Sequence, residues 1–258
     1  NDIESLIHLF EEVKDIDHPI VLHIHTEKGR GYQPALENKE AFHWHMPFDL
    51  ETGQSKVIDS GKSYSSVMLD YMDKKVSEGL PLVAINAAIP GIFGLKQFAA
   101  KYPDRYIDAG IAEQFTITFG GAMAAAGARP IIFHNSTFVQ RAYDQFWHDL
   151  AINEEPAIVI VKGGVISGSD ETHQGSSAMT WISNIPNIKY LAPTSEEEFI
   201  SILDWALEQH EEPVVIQMPE HGLESRPTVL TDYSTPSYQM TKSGEKVALL
   251  ALGGLYSH

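Results

Sequence analysis

Cysteine is absent from this chain of 258 residues, and basic residues are scarce. Without cysteine the chain can form no disulfide, no thiolate metal site and no cysteine nucleophile. It has 18 lysines and arginines against 35 aspartates and glutamates, which gives a formal net charge of −17. A nucleic-acid surface needs clustered basic side chains, so the composition argues against a nucleic-acid partner. Small phosphorylated ligands remain possible, because a few N–H groups and one or two cations can bind them.

Long apolar runs are also lacking. No stretch approaches the roughly 20 apolar residues that a membrane-spanning helix requires, and no signal peptide opens the sequence. Hydrophobic residues make up 43% of the chain and charged residues 21%, a composition typical of globular proteins. We therefore predict a cytoplasmic protein with no membrane partner.

The sequence does contain a series of short runs rich in β-branched residues. Most are continuously apolar, which is the pattern of strands buried on both faces. The predicted strands are 19–25, 81–86, 130–134, 157–162, 188–191, 213–217 and 246–252. Helical periodicity appears at 2–13, 64–75, 115–127 and 195–208. This alternation predicts an α/β fold with a mostly parallel sheet and helices on both of its faces.

Two irregular stretches indicate where domains meet. Residues 31–62 are polar with dispersed aromatic residues and histidines, and residues 222–244 are rich in threonine, serine and proline. We predict a central domain at 55–225, preceded by the end of another domain at 1–54 and followed by the start of a third at 226–258. The flanking pieces are shorter than ordinary domains. We therefore expect the chain to be a piece of a longer protein.

Three polar clusters stand out, and two of them follow predicted strands. Residues 108–114 read Asp-Ala-Gly-Ile-Ala-Glu-Gln and lead into a helix in which Gly120 and Gly121 indicate close backbone packing. The other two clusters lie at 136–145 and 169–175. Open parallel α/β sheets bind ligands beyond the carboxyl ends of their strands. However, Glu113 at a helix start could simply stabilise the helix dipole, and spacing alone leaves both interpretations open.

These clusters resemble ordered motifs of the deoxyxylulose-phosphate synthase family, which are transketolase-like enzymes that use thiamine diphosphate. The matching motifs are Gly-Ile-Ala-Glu-Gln at 110–114, Ser-Thr-Phe-x-Gln-Arg-Ala-Tyr-Asp-Gln at 136–145 and Thr-His-Gln-Gly at 172–175. Upstream, the segments at 26–32, 42–43 and 48–53 also match, and downstream those at 185–187 and 192–193. The resemblance covers nearly the whole chain. It implies a thiamine-diphosphate-binding fold whose central domain is of the pyrimidine type.

The resemblance implies roles for five residues on the cofactor side. Glu113 would hydrogen-bond the ring nitrogen of the aminopyrimidine and so help to activate the cofactor. Phe138 would pack on the pyrimidine ring, and Ile111 would also contact the cofactor. His173 and His43 match histidines near the substrate, and imidazole suits proton transfer near neutral pH. Two of these residues have plainer explanations, namely core packing for Phe138 and an exposed loop position for His173.

On the acceptor side the chain departs from the family. The residues that the resemblance assigns to the substrate are Arg141, Asn135, Ser136, Lys162 and Asp170. Of these, Asn135 replaces a tyrosine, Lys162 replaces an arginine, and Asp170 is displaced by one position. A further arginine is expected where Gln217 and Glu220 stand. Arg141 would hold the acceptor's phosphate, although an ion pair with Asp144 or Asp149 would also explain it.

A Gly-Asp-Gly motif, through which the resembling enzymes bind diphosphate and its divalent metal, does not occur in this sequence. We predict no metal ligand in this chain. We expect the Mg²⁺ and diphosphate site in a first domain outside it, and weak or no cofactor binding by this piece alone. The resemblance also implies a homodimer.

The activity that the resemblance implies is decarboxylation of pyruvate, followed by transfer of the two-carbon unit to an aldehyde such as glyceraldehyde 3-phosphate. This is a step of isoprenoid biosynthesis. Because the acceptor side is altered, a paralogue that acts on a different or unphosphorylated aldehyde is an alternative. A transketolase, a β-type subunit of a 2-oxo acid dehydrogenase and a catalytically silent paralogue are also compatible with the sequence.

Overall fold

The structure, a computed structural model, describes residues 2–43, 45–56, 61–164, 172–220, 222–227, 229–235 and 240–257. The chain divides into two compact units, residues 1–61 and 62–258. The domain boundaries predicted near 55 and 225 stay predictions. A division into compact units does not test where the domains of a family begin and end.

The first unit contains two helices, α1 at Ile3–Val13 and α2 at Gln33–Glu37. Helix α1 begins where the side chain of Asp2 accepts a hydrogen bond from the backbone N–H of Ser5 at 3.2 Å, which makes Asp2 the N-cap. The strand predicted at 19–25 is wrong, because these residues have no strand structure. A strand needs a hydrogen-bonded neighbour, and a β-branched run without one stays irregular, with Val21 almost fully exposed.

The second unit is built on a sheet of six strands. The strands are β1 Leu82–Asn86, β2 Tyr106–Asp108, β3 Arg129–Asn135, β4 Ile158–Lys162, β5 Lys189–Leu191 and β6 Val214–Met218. Their order across the sheet is β2-β1-β3-β4-β6-β5, and every neighbouring pair is parallel. The mostly parallel sheet predicted from the sequence is therefore confirmed.

Helices surround this sheet. They are α3 Tyr64–Ser77, α4 Pro90–Phe93, α5 Leu95–Lys101, α6 Glu113–Ala125, α7 Ser136–Val139, α8 Tyr143–Gln145, α9 Ala178–Ile182 and α10 Glu196–Glu208. Short 3₁₀ turns occur at Pro103–Arg105, Gln140–Ala142 and Gly253–Ser257, and a π-helical segment spans Phe146–Ala151. Helix α10 begins at the predicted cap, where Ser195 Oγ accepts from the N–H of Glu198 at 3.2 Å.

The core has one layer on each face of the sheet. Side chains alternate along a strand, so Ile131 and Phe133 of β3 join one cluster, which includes α3 and α10. Ile132 joins the other cluster, together with α6, the π-helical segment and α9. Helices therefore cover both faces, as the sequence predicted.

Two strand predictions differ from the structure. Residues 246–252 form no strand, and Leu249 and Leu250 are each 90% exposed. The apolar pattern of this run was sufficient for a strand, but no neighbouring strand pairs with it among the described residues. In contrast, β2 was not predicted because it has only three residues, which lie half-buried or exposed at the sheet edge.

The strand order reverses between β1 and β3, because the chain moves outward from β1 to β2 and then returns to β3 on the other side. In open α/β sheets such a reversal opens a crevice at the carboxyl ends of the two strands, and ligands bind there. The loops after β2 and β3 lead directly into α6 and α7. We therefore expect ligand-binding residues at the starts of α6 and α7.

Candidate active site

Asp108, the last residue of β2, fixes the loop that leads to α6. Its Oδ1 accepts hydrogen bonds from the backbone N–H groups of Ala88 at 3.0 Å and Gly110 at 2.9 Å. Its Oδ2 accepts from Asn86 Nδ2 at 2.9 Å. The sequence prediction gave Asp108 no role. An aspartate two residues before a glycine in a turn is a signal for this local hydrogen bond.

Glu113 is the first residue of α6 and is buried. Its carboxylate is 4% exposed and accepts a hydrogen bond from Arg141 Nη1 at 2.8 Å, which is also an ion pair. The Arg141 side chain is 49% exposed. The sequence offered Asp144 and Asp149 as partners for Arg141, but the structure joins it to Glu113. Buried carboxylates are stable only when a partner compensates their charge.

Phe138 lies against the same arginine. The guanidinium carbon of Arg141 is 5.4 Å from the centroid of the Phe138 ring, within the range of a cation–π contact. The ring of His173 meets Phe138 edge-on, with 5.3 Å between centroids. Nδ1 of His173 also lies 2.6 Å from Thr172 Oγ1. Four residues predicted from three separate motifs, Glu113, Arg141, Phe138 and His173, therefore form one continuous cluster.

A buried hydrogen-bond chain lies beneath Glu113. Thr116 Oγ1 donates to the backbone carbonyl of Glu113 at 2.7 Å and lies 2.8 Å from His134 Nε2. Because the hydroxyl hydrogen is already used, Nε2 of His134 must carry the proton that completes this contact. Burial lowers the pKa of His134 to about 3, so the imidazole is neutral at physiological pH. His134 and Thr116 were not singled out from the sequence.

Helix α6 is held in place by its two central glycines. A Cβ atom on Gly121 would lie 2.8 Å from the backbone oxygen of Asp149 in the π-helical segment. One on Gly120 would overlap the side chain of Ile132 in β3. The close backbone packing predicted for this helix is therefore confirmed.

Ser136, predicted to bind substrate, is buried, and its Oγ has no hydrogen-bond partner among the described residues. A Cβ on Gly163, which has φ +85°, would lie 2.7 Å from that oxygen, so a left-handed glycine backbone encloses the hydroxyl. The side chain of Asn135 accepts from the N–H of Thr137 at 2.9 Å and so caps α7. The side-chain oxygen of Asn135 is therefore already hydrogen-bonded within the protein.

The Lys162 ammonium also bonds to the protein itself. Its Nζ donates to the carbonyl of Ile92 at 2.9 Å and to Ser65 Oγ at 3.3 Å. Burial lowers the pKa of Lys162, and the negative charge of Glu220 opposes this shift. Gln217 is engaged in the same way, because its Nε2 donates to the Gly163 carbonyl and its Oε1 accepts from the Tyr190 hydroxyl.

The remaining predicted site residues are Ile111, His43 and Asp170. Ile111 is 80% exposed. His43 lies in the first unit, where Nδ1 accepts a hydrogen bond from Lys28 Nζ at 2.6 Å. Asp170 lies outside the described residues.

Comparison with protein families decides the relationship. Residues 60–225 match the family described as transketolase, pyrimidine binding domain. The chain belongs to this family. The carboxylate at the start of α6 and the arginine and phenylalanine after β3 therefore lie in a pyrimidine-binding domain of the transketolase type.

Curated relatives extend the match beyond this domain. The chain is 34% identical over 257 residues to "1-deoxy-D-xylulose-5-phosphate synthase 1" of Geobacter sulfurreducens, covering 98% of this chain and 40% of the relative. It is 34% identical over 259 residues to the synthase of Clostridium kluyveri, covering 100% of this chain and 41% of the relative. The predicted resemblance to this family is confirmed. The chain spans about 40% of the length of these relatives.

Solved structures show the same fold. A "split gene transketolase, inactive beta4 tetramer" has 19% identity and a TM-score of 0.52, covering 63% of this chain and 51% of that one. A transketolase complex with sedoheptulose 7-phosphate from Pichia stipitis has 18% identity and a TM-score of 0.53, covering 62% and 26%. These likenesses support the fold of the pyrimidine-binding domain alone.

Two features are absent from the described residues. No cluster of three or more histidine, aspartate or glutamate side chains could hold a metal ion there. No helix in those ranges has the length and apolar character that crossing a bilayer demands.

Proposed function

We propose that this pyrimidine-binding domain serves a thiamine-diphosphate-dependent transferase. The observation that carries the proposal is the contact of Glu113 with Arg141, and of Arg141 with Phe138, beside the switch point of the sheet. The family and the relatives support the cofactor class.

The donor set at this position fits an aminopyrimidine ring. Glu113 offers a buried carboxylate that can hydrogen-bond a ring nitrogen, and Phe138 offers an aromatic surface for packing. His173 supplies a titratable ring at the edge of Phe138. The metal end of the cofactor has no corresponding donor set among the described residues, so we propose that Mg²⁺ and diphosphate bind elsewhere in the full-length protein.

The chain's own residues would orient the cofactor and move protons. Thiamine diphosphate, when bound, supplies the carbon nucleophile for cleavage and formation of bonds next to a carbonyl. Glu113 would hold the pyrimidine through its ring nitrogen, and the Asp108 turn and the Thr116 bond would keep that carboxylate in place. Phe138 would exclude water from one side of the ring. His173 would transfer a proton to or from the substrate.

Within this class we propose the reaction implied by the synthase relatives. Pyruvate would be decarboxylated and the two-carbon unit transferred to an aldehyde, in a homodimer. The test follows carbon dioxide and product formation by the full-length protein with thiamine diphosphate, Mg²⁺, pyruvate and glyceraldehyde 3-phosphate. Glu113→Gln should lower turnover by about 10²- to 10⁴-fold. Glu208→Gln changes an exposed glutamate in α10 and should leave turnover unchanged.

Two results would contradict this proposal. Equal turnover by the Glu113→Gln variant and the unchanged protein would remove Glu113 from the chemistry. Failure of the unchanged protein to consume pyruvate would favour a transketolase, a dehydrogenase subunit or a silent paralogue, and a ketose phosphate donor would then identify the first of these.

One observation favours a second candidate, an unphosphorylated acceptor. Lys162 is held by Ile92 and Ser65, and the exposed carboxylate of Glu220 lies near Gly163. The negative charge of Glu220 would repel a phosphate, and the Lys162 ammonium already bonds to the protein. This part of the site is therefore less suited to a phosphate. The test divides kcat/KM for glyceraldehyde 3-phosphate by kcat/KM for glyceraldehyde. A value below one supports the unphosphorylated aldehyde as the acceptor, and a value above one supports the phosphorylated aldehyde.

A further inference from the structure

Arg141 makes two contacts with one guanidinium group. Nη1 donates to Glu113 at 2.8 Å, and the guanidinium carbon lies 5.4 Å from the centre of the Phe138 ring. The group therefore occupies the space between the carboxylate and the aromatic ring. A guanidinium is planar and delocalised, and it combines N–H donation with packing on aromatic faces.

These are the same two kinds of contact that the proposed function assigns to the aminopyrimidine. That ring is also planar, would hydrogen-bond Glu113 and would pack on Phe138. Because the guanidinium already bridges these residues, a ring that bonds the same carboxylate oxygen, Glu113 Oε1, and packs over the same part of Phe138 enters the space that the guanidinium fills. The two groups therefore compete for one position.

The two partners of the ion pair differ in their freedom to move. The Glu113 carboxylate is 4% exposed, whereas the Arg141 side chain is 49% exposed. Arg141 also lies in the short 3₁₀ turn Gln140–Ala142 between α7 and α8. The arginine can turn into solvent without uncovering the core, but the glutamate, fixed at the start of α6, cannot.

We propose that Arg141 is a stand-in for the aminopyrimidine ring in the unliganded protein and is displaced when the cofactor binds. This inference rests on the proposed function. In the free protein the guanidinium compensates the buried charge of Glu113, which would be costly to leave unpaired. Cofactor binding replaces that compensation and releases the guanidinium. The released group then becomes available to an anionic acceptor, so the cofactor binds before the acceptor.

Removing the stand-in should therefore tighten cofactor binding. The test measures the Kd of thiamine diphosphate with Mg²⁺ by titration calorimetry on the full-length protein, without substrate. In Arg141→Ala the Kd should fall by up to about 10-fold, because no existing contact must be broken. Arg141→Gln, which keeps an N–H donor but no charge, should give an intermediate decrease and serves as a second variant if the alanine variant folds poorly.

The control is Arg226→Ala, because Arg226 also lies over an aromatic ring, that of Tyr256 at 4.0 Å. Its Kd should equal that of the unchanged protein. The midpoint of thermal unfolding without cofactor independently measures how much the Glu113–Arg141 ion pair stabilises the free protein. Arg141→Ala should lower this midpoint, and added cofactor should raise it by more than in the unchanged protein.

Failure of this inference and failure of the proposed function give different results. If the unchanged protein binds the cofactor and Arg141→Ala binds it equally or more weakly, Arg141 is a constant part of the site and the stand-in is refuted. If neither the unchanged protein nor any variant binds thiamine diphosphate, the proposed function itself is refuted.

Discussion

The two sides of the candidate site use their polar groups differently. On the side proposed for the cofactor, Glu113 bonds through its side chain to Arg141, a half-exposed residue that the resemblance assigns to the substrate. On the side proposed for the acceptor, Asn135, Lys162 and Gln217 bond to backbone groups of the protein. A ligand can replace a half-exposed side chain, but it must break a structural bond to recruit a group that supports the backbone.

This difference suggests that the cofactor side is prepared for a ligand, whereas the acceptor side is largely satisfied by the protein. It agrees with the departures from the resembling family, which by the sequence interpretation fall mainly on the acceptor side and leave Glu113 and Phe138 unchanged. We therefore expect substitutions on the cofactor side to alter cofactor binding. Those on the acceptor side should first alter stability.

The largest effect is expected from His134 at low pH. Its folded-state pKa of about 3 lies below the ordinary value of 6.5, so the unfolded chain binds a proton that the folded protein excludes. This stabilising contribution is complete above pH 6.5 and is lost as the pH falls towards 3. The loss approaches about 1.4 kcal/mol per pH unit within that window.

Denaturant unfolding between pH 7 and pH 4 measures this slope. His134→Gln keeps an N–H donor for Thr116 but cannot titrate, so its unfolding free energy should fall less steeply with acid. His148→Gln removes an exposed histidine of the same unit and should preserve the steep fall. Identical slopes for the unchanged protein and for His134→Gln would show that His134 does not oppose protonation.

Gly121→Ala should produce the next largest effect, through the position of α6. Alanine is normally preferred to glycine within a helix by about 1 kcal/mol. Here its Cβ would lie 2.8 Å from the Asp149 backbone oxygen, so we expect net destabilisation of about 1–3 kcal/mol. Cofactor affinity should fall as well, because α6 carries Glu113.

The control is Gly91→Ala, since no atom lies within 4 Å of its added Cβ. That variant should be neutral or slightly stabilised in thermal unfolding. If both substitutions destabilised the protein equally, the close contact of Gly121 with the Asp149 backbone would not explain the effect.

Sequence patterns predicted local features well and partnerships poorly. Continuous apolar runs predicted β1, β3, β4 and β6, because burial on both faces leaves a direct signal in composition. The three-residue β2 left no such signal. The runs at 19–25 and 246–252 had the composition of strands, but pairing depends on neighbours that composition does not specify.

The site shows the same division. Motifs identified Glu113, Phe138 and Arg141 separately, but nothing in their spacing joined Arg141 to Glu113 across 28 positions. The Thr116–His134 bond was missed for a similar reason. It links a helix and a strand whose contact arises from the packing of α6 on β3, and neither residue lies in a recognisable motif.

Lys162→Met tests the acceptor side directly. If the ammonium supports α4 through the Ile92 carbonyl, its loss should destabilise the protein by about 1–2 kcal/mol, because the carbonyl loses a charged donor. The ratio of KM for phosphorylated and unphosphorylated aldehyde should stay constant. A selective rise in KM for the phosphorylated aldehyde, without destabilisation, would instead make Lys162 a phosphate ligand and remove the contrast between the two sides.

The smallest effect is expected from Ser136→Ala. The buried Oγ has no hydrogen-bond partner within the part of the chain that the structure describes, so deleting it should leave the unfolding free energy unchanged or raise it by up to about 1 kcal/mol. Ser195 is the matched control, because its equally buried Oγ caps α10, and Ser195→Ala should cost about 1 kcal/mol. Kinetics of the Ser136 variant complete the test. If its hydroxyl were reserved for the substrate, KM would rise while stability did not fall, and the acceptor side would then contain a prepared group after all.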